Sequence, residues 1–167
     1  AKGSERVATL QYMLYKLYQK SRKNPSRLFV VDHPTKPLQE LCELVEAERY
    51  TVALKEMDVL IQQFHEEIER RVEEVSHRGE SVSLGNEAVE LPVRPFPLLI
   101  LVLHSKEAVE RIAGDKALTE TLKKLFKLMS KVNACIIFGD VENVTVPGYG
   151  GPEFLKLLKD TGQGLFF

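Results

Sequence analysis

A chain of 167 residues is long enough for a single domain, spanning residues 1–167, with one hydrophobic core. Apolar residues make up 44% and charged residues 28%, and a formal net charge of -1 excludes the global basic field that holds nucleic acid. The longest apolar run, residues 96–103, contains Pro97 and falls well short of the roughly 20 residues of a membrane span.

Val7, Leu10, Met13, Leu14, Leu17 and Tyr18 recur at helical spacing and predict a first helix ending near Ser21. Asn24-Pro25-Ser26 reads as a turn. Residues 28–31 form a short all-apolar run ending at Asp32, the pattern of a strand buried on both faces of a parallel sheet. Leu38, Leu41, Leu44 and Val45 mark a short helix, and Thr51 is a candidate cap for the next one. Met57, Leu60, Ile61, Phe64, Ile68, Val72 and Val75 make a long apolar stripe opposite a charged face. Residues 76–92 are polar and carry glycine, so a loop or hairpin is expected there.

Residues 98–103 predict a second buried strand, with Ser105 as N-cap of the following helix and Gly114 just past its end. Leu118, Leu122, Leu125, Phe126 and Met129 define another amphipathic helix, and residues 134–138 a third strand. A loop covers 139–151, Pro152 opens a short last helix, and 165–167 suit a terminal strand. Alternation of all-apolar runs with helices implies one α/β domain of three layers, α/β/α, with a mostly parallel sheet. Ligands in such sheets sit at the carboxyl ends of the strands, which here are Asp32-His33, His104-Ser105 and Gly139-Asp140.

The candidate chemistry is sparse. Cys42 and Cys135 lie among apolar neighbours and read as core residues of a protein in a reducing compartment. The sequon at Asn143, Val144 and Thr145 then carries no meaning. Asp32 and Asp140 are candidates for a metal or general-base pair, but the simpler reading is preferred, that a polar residue marks where each strand leaves the core. His33, His65, His77 and His104 show no metal-ligand spacing, although His33 and His104 are expected as neighbours at the sheet's end. Gly148-Tyr149-Gly150-Gly151-Pro152 resembles a phosphate turn but lacks lysine, and unusual backbone angles explain it better. Glu66, Glu67, Glu69, Arg70, Arg71, Glu73 and Glu74 read as a solvated helix face with internal ion pairs.

Several segments together resemble the FtsK/SpoIIIE family of P-loop ATPases, and in particular the last ATPase module of the type VII secretion coupling protein (the EssC/YukB/EccC group). They are the nine residues from Gly3 (GSERVATLQ), LFVVD from Leu28, EIERR ending at Arg71, PLLILVLH from Pro97 and ACIIFGD from Ala134. The resemblance implies a RecA-like fold of the P-loop NTPase type, with a phosphate loop just before the first helix. In that motif backbone N–H groups at a helix N-terminus cradle phosphate, a lysine neutralises charge and a hydroxyl binds Mg²⁺. After Gly3 and Ser4, this chain has Glu5 in place of the close-approach glycine, Arg6 in place of lysine and Val7 in place of the hydroxyl. Leu103 and His104, with Ser105 beside them, fill the places of the acidic Walker B residues.

Both centres are therefore degenerate and ATP hydrolysis is not expected. No catalytic residue, metal or cofactor is assigned, and vestigial ATP binding stays open because a helix N-terminus and Arg6 both favour phosphate. The resemblance further implies a cytoplasmic module of a larger membrane-anchored, ring-forming ATPase. Its partners would be small helical secreted proteins of the WXG100 type and the sister ATPase modules of its own chain. Arg70 and Arg71 are the candidate residues for contact with a neighbouring subunit. Alternatives are an active nucleotide-dependent hydrolase using Asp32 and Asp140, or a DNA-translocase fragment. A start at Ala1 without methionine reads as a piece of a longer protein.

Overall fold

The computed structural model describes residues 2–20, 23–83, 96–140, 156 and 165–166. Helix α1 (Lys2–Lys20) leads into strand β1 (Arg27–Val31), then α2 (Gln39–Leu44), β2 (Arg49–Thr51) and α3 (Leu54–Ser83). There follow β3 (Leu99–His104), α4 (Lys106–Gly114), α5 (Lys116–Leu128), a 3₁₀ turn (Met129–Lys131), β4 (Ala134–Gly139) and β5 (Leu165–Phe166). All strand pairs are parallel, in the order β2-β1-β3-β4-β5.

That order is one of the doubly wound arrangements, and it puts the topological switch point between β1 and β3. The α/β class and the three layers expected from the sequence are what the chain forms. Alternate strand residues go to opposite faces, so the continuous apolar runs feed two cores. Phe29, Val31, Leu99, Leu101, Leu103, Ile136 and Phe138 pack against α3, α4 and α5. Leu28, Val30, Ile100, Val102 and Ile137 pack against α1 and α2.

Two segments depart from expectation. The polar stretch from Ser76 continues α3 to Ser83 instead of starting a loop or hairpin, and the rest of the predicted stretch, to 92, lies outside the described residues. Strand β2 adds to the expected elements: three residues at the sheet margin are too short to show a periodicity. Thr51 ends it and shapes the turn into α3, accepting from the Ala53 N–H at 3.0 Å and donating to Glu56 at 2.7 Å.

Ser105 is the N-cap of α4, as predicted, accepting from the Ala108 N–H at 3.2 Å. Gly114, in contrast, is the last helical residue. Asp115 joins α4 to α5, and its carboxylate caps α5 through the N–H groups of Ala117 and Leu118. The expected loop beyond Asp140 and the helix after Pro152 lie almost entirely outside the described residues.

Candidate functional site

The carboxyl ends of β1 and β3 meet at the switch point. Their register pairs Val31 with Leu103, so the next residues, Asp32 and His104, come side by side and point to the α1/α2 face. The His104 Nδ1 lies 2.9 Å from Asp32 Oδ1. Asp32 is fully buried and His104 is 6% exposed.

Asp32 gathers three further donors. The His33 N–H bonds Oδ1 at 2.8 Å, and the Leu38 N–H and the Tyr50 hydroxyl bond Oδ2 at 2.9 Å each. A buried carboxylate in an apolar sheet is tolerable only with such a set of partners. Burial, together with the hydroxyl's bond to Asp32, raises the Tyr50 pKa. The site thus joins β1, the loop after it, β2 and β3.

Gly139 pairs with His104 across β4, and its bare Cα gives the imidazole its place. A Cβ there would stand 2.5 Å from His104 Cδ2. Contact with Asp32 on one side and Gly139 on the other fixes the ring plane. Among the described residues the ring is hydrogen-bonded through Nδ1, to Asp32.

The Asp32–Asp140 pair is not formed. β3 separates β1 from β4, so their ends stand about 10 Å apart at ordinary strand spacing, with His104 between them. Asp140 is exposed with φ of 57°, a left-handed backbone that Asp tolerates. His33 does adjoin the site through its backbone, but its Nδ1 pairs with the Thr35 hydroxyl at 2.7 Å and not with His104. Among the described residues no group of three or more His, Cys, Asp and Glu is placed to hold a metal.

The six residues singled out for phosphate and magnesium fall as follows. Ser4, Glu5, Arg6 and Val7 all lie within the first turns of α1. Gln11, midway along α1, donates to the Pro37 carbonyl at 2.7 Å and sets the middle of the helix beside the loop that leaves β1. Leu103 is wholly inside the core, on the face opposite His104.

A second polar cluster lies at the amino ends of the strands. The Arg71 guanidinium is fully buried and donates to the Pro97 carbonyl at 2.7 Å and the Val132 carbonyl at 2.9 Å, tying α3 to the starts of β3 and β4. Its Nε bonds Glu67 at 2.9 Å, and its Cζ lies 5.1 Å from the centroid of the Phe96 ring. Glu67 also takes Arg27 at 2.7 Å and Arg70 at 2.8 Å. Burial acts to raise the Glu67 pKa, but the bonds from Arg70, Arg71 and Arg27 outweigh it and bring it to about 2.

Arg71 is therefore withdrawn as a subunit-contact candidate, since its charged head is inside its own domain. Arg70 stays exposed, held by Glu67 and Glu74. The expected ion pairs along this face are present, but Arg71 departs from the solvated-face reading because it continues the apolar stripe three residues after Ile68.

Cys42 is buried and Cys135 half-buried, and both are free thiols. Burial pushes Cys42 up to about 12, with Asp32 and Glu43 adding to it, and Cys135 up to about 11, so neither is a thiolate at neutral pH. No described helix is long and apolar enough to cross a membrane. No family model matches the chain, and neither a curated protein nor a solved structure matches it.

Proposed function

We propose that this chain is a non-hydrolysing, RecA-like module of the FtsK/SpoIIIE type, from a type VII secretion coupling protein. It acts by protein contacts in recognising export substrates or in regulating sister modules. What supports this reading is that the positions which the resemblance assigns to phosphate and magnesium hold unsuitable groups. Gly3 to Val7 are wound into regular helix, with Glu5 and Val7 where phosphate and magnesium need other groups. At the end of β3, Leu103 is committed to the core and His104 to Asp32. Phosphoryl transfer rests on positioning and charge stabilisation, and these residues supply neither.

On this reading the partners are small helical secreted proteins of the WXG100 type and sister ATPase modules. The full-length protein is a membrane-anchored ring whose anchor lies outside this sequence, with this module on the cytoplasmic side. The test is a thermal-shift titration with ATP, with and without magnesium, alongside phosphate release. Ligand bound only by the native state raises Tm by mass action. An unchanged Tm at millimolar MgATP, together with saturable binding of a purified WXG100-type protein, supports the proposal. A magnesium-dependent rise with phosphate release overturns it.

A further inference from the structure

The outer layer formed by α3 and α5 has its charges sorted by sign. The two helices lie side by side on one face of the sheet, packed on the same core. On α3 the exposed Glu66, Glu69 and Glu73 follow one another at i, i+3 and i+7. On α5 and the turn that extends it, the exposed Lys124, Lys127 and Lys131 do the same. Among the described residues these lysines form no ion pair, while Glu66 is held only by the Gln62 amide and Glu69 only by His65.

An ordinary solvated helix face mixes its signs, because like charges three or four residues apart repel. Here each line repels within itself and complements the other in sign and spacing. Val59, 60% exposed, continues the α3 line two turns earlier and offers an apolar contact. The strands are all parallel, so α3 and α5 both run toward the strands' amino ends. Arg71 on α3 donates to the Val132 carbonyl, just beyond Lys131, which sets the two triads at about one level along the helices.

We propose that this face docks on a second copy of the chain, about a twofold axis that lies in the interface and parallel to the two helices. That operation lays α3 of one protomer on α5 of its partner and returns the contact in kind, so the glutamates of each copy meet the lysines of the other. A twofold across the helices would set glutamate on glutamate. A net charge of -1 gives the copies no strong overall repulsion. Exposed ion pairs are individually weak and are screened by salt, so the dimer is a weak one that forms at low ionic strength. The surface is on the sheet face opposite α1, and the proposal is independent of the secretion reading.

The experiment is sedimentation equilibrium of the whole chain at about 0.01 M and about 1 M salt, between which the screening length falls from about 30 Å to about 3 Å. The expected result at low salt is a mass that rises with protein concentration toward two copies, and at high salt a monomer. Lys124→Glu with Lys127→Glu should abolish the dimer, and so should Glu66→Lys with Glu69→Lys. All four positions are exposed, so these changes leave the core intact. A chain carrying all four substitutions has the signs exchanged and should dimerise again, which the mere loss of surface charge would not produce. A parent that stays monomeric at low salt and millimolar concentration overturns the proposal, as does association that the fourfold exchange fails to restore. Growth past two copies refutes the twofold. A monomer that sediments with phosphatidylserine vesicles would assign the lysine line to a membrane instead, and also overturns it.

Discussion

The sheet ends in two buried polar clusters of opposite construction. At the amino end a cation, Arg71, is surrounded by carbonyls, Glu67 and the Phe96 ring. At the carboxyl end an anion, Asp32, is surrounded by N–H and O–H donors and one imidazole. The first is closed: the two carbonyl bonds tie α3 to the starts of β3 and β4, Glu67 links Arg71 within α3 and Arg27 on β1, and Arg71 Nη2 is sealed without a partner. The second holds its elements together as well, through one carboxylate that accepts from β1's own loop, β2 and β3. The contrast is between a buried cation satisfied mainly by acceptors on the chain and a buried anion satisfied by donors.

The largest effect should come from breaking the closed cluster. Arg71→Ala strips two buried carbonyls of their donor and empties a filled site, and should cost about 3–5 kcal/mol in denaturant unfolding. An unfolding free energy equal to the parent's would mean that Arg71 is replaceable by water at those carbonyls. Next is Asp32→Ala, which orphans four donors at once and should cost roughly 2–4 kcal/mol. A loss larger than that of Arg71→Ala would reverse the order of the two ends.

The closed cluster also carries an acid-sensitive element. Glu67 is held at about 2, below its ordinary value of 4.5. A depressed carboxylate contributes stability above its unfolded-state pKa, and that contribution is lost as the pH falls from about 4.5 through about 2. Glu67→Gln should therefore flatten the acid limb of a stability–pH curve over this window. A variant as acid-sensitive as the parent would assign that limb to other carboxylates.

How much of this was legible in the sequence follows from the range of each signal. The three long strands announce themselves because a strand buried on both faces must be apolar throughout, and Leu28 to Val31 needs no other information. The Ser105 cap is equally local. Strand β2 and the last turns of α3 were missed for opposite reasons, one too short for a period and the other polar enough to pass for a loop.

Arg71 was misread because the charges around it suggest a solvated face. Its position on the stripe of Phe64 and Ile68 was the signal to the contrary. The pairing of Asp32 with His104 is 72 residues long in sequence and depends on strand register, which no local pattern supplies. For the same reason Asp140, whose place at a strand end looked equivalent to that of Asp32, proved to be two strands away.

Gly139→Ala probes the carboxyl-end cluster most finely. The glycine has no need of unusual backbone angles; it is required because a Cβ would sit 2.5 Å from the His104 ring. The ring is the softer partner, since its χ angles can turn while β4 is held by its hydrogen bonds to β3. The methyl should then push the imidazole off Asp32 at a cost of about 1–3 kcal/mol in denaturant unfolding, the range for one extra methylene in a packed site. The fold should persist, because Asp32 keeps the other three donors. In the double variant with His104→Ala the methyl has no ring to meet, so the glycine substitution should then add little cost of its own; an undiminished cost there would mean that Gly139 is required by the strand and not by the imidazole.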